Sequence, residues 1–171
     1  MRRAGRRGFT LIELVTVMAI IGIVAGAGAA CALRIEAVRS AAALDGMVAN
    51  LRYLQGLALA KSVRTWVVFD TAANTYRGYE EDPAAPGRAG RQPTLDPLTR
   101  TPMVVALDEG FMSGTRVTAA AFNGGAELAF DSRGAPYDGL GAPLAREGTI
   151  VLADGRTVTV SPETGYCAIA P

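Results

Sequence analysis

The stretch GFTLIELVTVMAIIGIV (residues 8–24) decides the fold, because it is a long apolar run that carries one acid, Glu13, close to its start. Residues 9–33 contain no other charged side chain. A helix rises about 1.5 Å per residue, so a helix over 9–33 is long enough to cross the roughly 30 Å apolar core of a bilayer. A carboxylate in such a segment costs about 2 to 3 kcal/mol or more to insert. We therefore expect Glu13 to have a partner or a function.

The charged residues predict the orientation of this segment and argue against a protein that coats nucleic acid and against histidine-based catalysis or metal binding. Four of the 17 basic residues lie ahead of Gly8, which leaves 13 basic against 16 acidic side chains in residues 9–171. By the positive-inside rule the short N-terminal arm stays in the cytoplasm and the remainder crosses. A mildly acidic chain argues against a protein built to coat nucleic acid. The absence of histidine from the sequence removes the usual general base and the commonest transition-metal ligand.

The next segment, residues 34–64, has the pattern of an amphipathic helix. No proline separates it from the apolar run, so one long helix is predicted, its second half packed against a soluble domain. Apolar residues recur at steps of three and four: Ile35, Val38, Leu44, Met47, Val48, Leu51, Leu54 and Ala58.

Residues 65–171 are predicted to be mostly antiparallel β. TWVVFD (65–70) and TYRGYE (75–80) have the composition of a β-hairpin, and residues 150–152 and 157–160 flank an Asp-Gly turn signal at Asp154. Further strands are expected at 103–107, 115–122 and 127–131. Residues 81–102 contain five prolines and are predicted to be an exposed variable loop with basic character from Arg88, Arg91 and Arg100. The fold class is therefore α+β, a long N-terminal helix whose first half spans a membrane, packed on antiparallel sheets.

RRGFTLIELVTVMAIIGIV (residues 6–24) resembles the class III leader of type IV pilins and type II secretion pseudopilins. The resemblance implies that a prepilin peptidase removes leader 1–8 by cutting between Gly8 and Phe9, and that the new amine of Phe9 is methylated. It also implies that Glu13 serves filament assembly. A buried carboxylate favours pairing with an ammonium over remaining alone, and both a neighbouring subunit's ammonium and the Phe9 amine of the same helix, four residues away, are candidates. Residues 9–33 would then be the retained transmembrane helix and 34–171 an extracytoplasmic pilin-like domain.

The order of long helix, strands around a variable loop, FDSRGAP (130–136) and a closing DGRTVTVSPETGY hairpin (154–166) resembles the GspH/FimT family. Two functions follow from this resemblance. The first is a minor pseudopilin of a type II secretion system that helps to initiate or cap the periplasmic pseudopilus. The alternative is a FimT-like minor type IV pilin with a role in pilus assembly or DNA uptake. Either implies a single-pass protein of the bacterial inner membrane, with a periplasmic C-terminal domain and other pilins or pseudopilins as partners.

The sequence predicts no catalytic, cofactor-binding or metal-binding residues. Glu80, Glu81 and Asp82 lack the ligand spacing of a calcium loop. A membrane-tethered hydrolase is the third alternative, with Lys61 and Ser62, or Glu80 and Asp82, as pairs that belong to no recognisable motif. Cys31 and Cys167 are favoured to be small unpaired thiols, because one falls in the apolar helix and the other near the C-terminus.

Overall fold

The structure, a computed structural model, describes residues 10–109 and 115–170, with the backbone alone for 27–37. It divides into two compact units, Met1–Val38 and Arg39–Pro171. Helix α1 (Leu11–Lys61) supplies residues to both of them. The prediction of one uninterrupted helix is therefore confirmed from Leu11 to Lys61.

In the second unit, α1 buries one face and exposes the other, as the spacing predicts. Its buried positions are three or four residues apart: Ala43, Leu44, Met47, Val48, Leu51, Leu54 and Ala58. Val38 was wrongly placed in this stripe, since 59% of it is exposed and the stripe begins only at Ala43. The helix also ends three residues earlier than predicted. Ser62 takes a left-handed conformation with φ of 54°, and the amide of Val63 bonds back to the carbonyl of Ala58 at 3.2 Å.

Within the described residues ten strands follow the helix. They are β1 (Thr65–Asp70), β2 (Thr75–Glu80), β3 (Gln92–Pro93), β4 (Val104–Ala106), β5 (Val117–Ala121), β6 (Glu127–Phe130), β7 (Pro136–Asp138), β8 (Gly148–Leu152), β9 (Thr157–Val160) and β10 (Cys167–Ala170). One antiparallel sheet has the order β3-β2-β1-β6-β7, with β4 also paired to β2. The other has the order β10-β9-β8-β5.

The core of the second unit combines the buried face of α1 with one face of each sheet. Phe69, Phe130, Ile150 and Val160 are among its members. Gly78 of β2 allows the helix to approach, because a Cβ there would lie 2.7 Å from Met103 Sδ and 3.3 Å from Leu54 Cδ1. Cys167 is also buried in this core, and its thiol lies 3.3 Å from the carbonyl oxygen of Gly165.

One buried polar residue, Asn74, connects the two sheets. It occupies the left-handed region at the end of the β1–β2 turn, with φ of 52°. Its side-chain amide donates to the carbonyl of Thr115 at 2.8 Å, and its side-chain oxygen accepts from the amide of Val117 at 3.0 Å. Asn74 therefore positions the start of β5 against the turn of the other sheet.

Two turns with the same hydrogen-bond pattern flank β7. Asp131 Oδ1 accepts from the amides of Arg133 and Ala135, and Asp138 Oδ1 accepts from those of Leu140 and Ala142. Burial acts to raise the pKa of both carboxyls. The amide bonds outweigh it, together with the Arg133 guanidinium beside Asp131 and the Asn123 side chain beside Asp138, and leave each pKa below the ordinary value of 3.8. Both aspartates are therefore ionised at neutral pH and hold the chain around β7.

Candidate functional site

The start of α1 brings Glu13 into the first turn of the helix. Thr10 precedes the helix, and its Oγ1 accepts a hydrogen bond from the Glu13 amide at 3.3 Å. The amides of Glu13 and Leu14 also bond to the Thr10 carbonyl, at 3.1 and 3.2 Å. Thr10 is therefore an N-cap. Threonine three residues before glutamate is the capping-box spacing, so the motif TLIE could have revealed this role from sequence.

The helix surface after Glu13 is apolar on all sides and exposed. In the second unit the same helix buries its apolar stripe, whereas over residues 11–24 the large apolar side chains are between about half and four-fifths exposed. These are Leu11, Ile12, Leu14, Val15, Val17, Met18, Ile20, Ile21, Ile23 and Val24. A contiguous apolar surface of this length marks a site of contact with other apolar groups, from a membrane or from other protein chains. Within the described residues, no helix reaches the length and mean hydropathy of a membrane span.

The predicted cleavage and methylation positions, Gly8 and Phe9, lie outside the described residues. So does the side chain of Cys31 and the side chains of the last part of the predicted span, residues 27–33. The cleavage, the methylation and the boundaries of the span remain predictions. Glu13 is described, exposed and placed where a negative charge is favourable at a helix N-terminus.

The predicted variable loop is more ordered than its composition indicates. Arg88 makes a two-point contact with Glu127, from Nε to Oε1 at 3.1 Å and from Nη2 to Oε2 at 2.7 Å. Arg91 also bonds Glu127, and its guanidinium lies 4.5 Å from the centre of the Tyr79 ring. Arg88 is exposed, as expected of this loop, whereas the side chain of Arg91 is only 20% exposed, and a buried carboxylate on β6 neutralises part of the charge of both. Sequence reasoning missed Glu127, which lies 36 residues from Arg91.

The other candidate residues have structural partners. Lys61 forms an ion pair with Glu80 at 2.7 Å. Glu81 accepts from the amides of Arg64 and Gly87, and Asp82 accepts from that of Ala84. No group of acidic or sulfur ligands suited to a metal ion occurs in the part of the chain that the structure describes. Ser62 takes part in ending α1, so its place next to Lys61 has a structural explanation.

Three comparisons place these features among known proteins. Residues 3–29 match the model of the prokaryotic N-terminal methylation motif. No curated protein matches the chain in sequence. Among solved structures, the chain is similar to that of the minor pseudopilin EpsH from the Type 2 Secretion System of Vibrio cholerae, with a TM-score of 0.54 and 14% sequence identity over 77% of this chain and 94% of that one.

The chain therefore carries a prepilin-type methylation motif and has the fold of a minor pseudopilin. The predicted α+β fold class, a long N-terminal helix with antiparallel sheets, is confirmed. The motif and the fold together support the resemblance to pilin-like minor pseudopilins.

Proposed function

We propose that this chain is a minor pseudopilin of a type II secretion system, a structural subunit that helps to initiate or cap a periplasmic pseudopilus. The observation that carries the proposal is the exposed apolar surface of α1 with Glu13 in its first turn, on a fold shared with a minor pseudopilin. An apolar helix exposed on all sides gains stability only by contact with other apolar surfaces. The role is structural and not catalytic.

Processing follows from the same motif. A prepilin peptidase cuts between Gly8 and Phe9 and the amine of Phe9 is methylated, which leaves a positive charge four residues before Glu13. Residues 9–33 then anchor the chain in the inner membrane, with residues 34–171 in the periplasm. The other partners are the (pseudo)pilins of the same filament.

Two roles are compatible with the position of Glu13, and they differ in whether a glutamine at this position would still allow assembly. As the acidic member of a capping box it stabilises the helix start, a duty that glutamine also performs. As the partner of a neighbouring subunit's ammonium it must be charged. Removing one member of a buried charge pair costs about 3 to 5 kcal/mol, which is enough to disfavour docking into a filament.

The experiment compares Glu13→Gln and Glu13→Leu with the matched control Thr16→Val, a change at an exposed position of the same apolar surface. Mass spectrometry of the mature protein first establishes that Phe9 is the N-terminus in all variants. We expect both Glu13 variants to be cleaved and membrane-located, yet to lose co-purification with the other filament subunits, whereas Thr16→Val keeps it. If Glu13→Gln assembled normally, the role of Glu13 would be limited to capping the helix. An uncut Met1 terminus would contradict the processing.

The alternative, a FimT-like minor pilin that contacts DNA, would need basic side chains free to meet phosphates. Arg88 and Arg91 bond Glu127, Arg133 bonds Asp131 at 3.1 Å, and Arg156 bonds Asp154 at 2.9 Å. These pairs support the secretion role over the DNA role. Tight DNA binding at physiological salt that is lost when Arg88, Arg91 and Arg100 are replaced would reverse the preference.

A further inference from the structure

The single tryptophan of the chain, Trp66, is buried on the side of its sheet that faces away from the helix. Side chains alternate along a strand, and on β1 Thr65, Val67 and Phe69 face α1. Thr65 Oγ1 donates to the carbonyl of Leu54 at 3.0 Å, and Val67 and Phe69 belong to the core cluster. Trp66 therefore points outward, yet only 2% of it is exposed. Something on the outer face of the sheet must cover it.

Residues next to Trp66 on this outer face show the same burial. Its cross-strand neighbours are Tyr79 on β2 and Ala129 on β6. Ala129 is 1% exposed. Among the described residues, neither Trp66 nor Ala129 is part of the buried cluster that packs on α1. A second apolar layer thus exists on the outer face, separate from the main core.

The chain that follows β2 passes over this face. Residues 82–91, which we call the strap, leave β2 after its last residue Glu80 and return to the same strand as β3, which pairs with Tyr79 and Glu80. Between these ends Arg88 and Arg91 reach Glu127 on β6, which is separated from β2 by the whole width of β1. Glu127 pairs with Val68, so it lies on the same face as Trp66. The two arginines therefore reach across β1 on the face that carries Trp66, and Arg91 lies over the ring of Tyr79, the cross-strand partner of Trp66.

Two carboxylates hold the strap, Glu81 and Glu127. Glu81 ties the start of the strap to the chain after α1 through the amides of Gly87 and Arg64, at 2.7 and 3.1 Å. After Gly87 the ion pairs of the strap go to one carboxylate, Glu127, which holds both arginines. Arg91 further packs on the Tyr79 ring beside Trp66.

We propose that the strap is a cover latched to the outer face of the six-stranded sheet by Glu127, and that releasing this latch uncovers Trp66 and its neighbours while the helix and sheets stay folded. The latch acts as a switch between a closed outer face and an open, aromatic one. Loss of the carboxylate frees two arginines at once, so a single substitution opens the strap. This inference is independent of the secretion role.

The test uses the full chain in detergent micelles and the fluorescence of Trp66, which reports on this site alone because the sequence has one tryptophan. Glu127→Gln removes the charge and keeps the shape. We expect acrylamide to quench Trp66 severalfold more strongly in Glu127→Gln, with far-UV circular dichroism unchanged. The matched control is Glu147→Gln, at an exposed glutamate outside the strap, which should leave quenching as in the parent.

Native-state trypsin digestion gives a second measurement. Cleavage after Arg88 should become severalfold faster in Glu127→Gln than in the parent or in Glu147→Gln. The double variant Arg88→Ala, Arg91→Ala releases the latch from its other side at exposed or half-exposed positions, so it tests the quenching result if Glu127→Gln does not fold. Unchanged Trp66 quenching in a folded latch variant would overturn the proposal. So would a rise in quenching that occurs only together with loss of the circular dichroism signal.

Discussion

Two stretches of α1 differ in the exposure of their apolar residues. Residues 43–58 of α1 bury one stripe and leave the other side polar, whereas residues 11–24 are apolar on all sides and exposed on all of them. The first stretch contributes to the stability of its own domain. The second is exposed among the described residues, and a contiguous apolar surface of this kind marks a site of contact with other apolar groups. Within one helix, residues 43–58 therefore contribute to folding, whereas residues 11–24 remain available for assembly.

The most direct test of this difference is to shorten one leucine to alanine in each stretch. Leu54→Ala should lower the free energy of unfolding by about 2 to 5 kcal/mol, because Leu54 is fully buried and contacts the region around Gly78. Leu14→Ala, at an exposed position, should change it by about 0.5 kcal/mol or less. Urea denaturation followed by Trp66 fluorescence measures both. Similar losses in the two variants would show that residues 11–24 also stabilise the domain.

A second prediction asks whether the domain packed on 43–58 depends on polar as well as apolar contacts. Asn74→Ala removes two buried hydrogen bonds and leaves a left-handed residue without its usual side chain, so we expect a loss of about 2 to 4 kcal/mol. Asn123 is a close control. It too is left-handed, with φ of 51°, but it is exposed. Its side-chain amide donates to the carbonyl of Pro143 at 2.9 Å and to Asp138 Oδ2 at 3.1 Å, and its side-chain oxygen accepts from the amide of Ala145 at 3.0 Å.

Asn123→Ala should therefore cost clearly less than Asn74→Ala in the same denaturation experiment. Equal costs would mean that the burial of Asn74 contributes nothing beyond its turn geometry.

The smallest expected effect concerns acid. The pKa of Asp131 and of Asp138 is lower in the folded chain than in the unfolded one, so both carboxylates stabilise the fold above the ordinary value of 3.8. That stabilisation is lost as the pH falls through the folded pKa values. We expect the unfolding free energy to be level from about pH 7 to 5 and to fall below about pH 4.

Asp131→Asn should weaken that fall, whereas Asp45→Asn, at an exposed helix position, should not. Denaturation curves recorded between neutral and acid pH test this. An identical acid dependence in Asp131→Asn and the parent would remove Asp131 from the explanation.

Local sequence patterns predicted the elements whose signals lie within a few neighbouring residues. The β1–β2 hairpin was predicted at 65–70 and 75–80, and the structure confirms both strands at those bounds. The strands on either side of Asp154 were also predicted, and α1 was predicted as one helix. In each case the periodicity or the turn residues are sufficient by themselves.

What the sequence did not reveal depends on contacts between distant residues. β7 has three residues and begins with Pro136, and β10 has four, so neither has a strand signal strong enough to detect. The contact of Arg88 and Arg91 with Glu127 joins a proline-rich loop to a strand more than thirty residues away, which no local pattern reports. At the site, Glu13 was identified from its position in an apolar run, but its N-cap partner Thr10 was overlooked.

The burial of Cys167 has a consequence for the redox chemistry of the domain. Desolvation raises the pKa of this thiol to about 11, against a smaller lowering by Arg52. At neutral pH only about one molecule in ten thousand would carry the reactive thiolate, and the side chain is closed to oxidants and to other thiols. Cys167 therefore contributes to the stability of the domain through packing and not through a disulfide bond. In the oxidising compartment that the proposed topology implies, folding would proceed with no need for disulfide exchange at this residue.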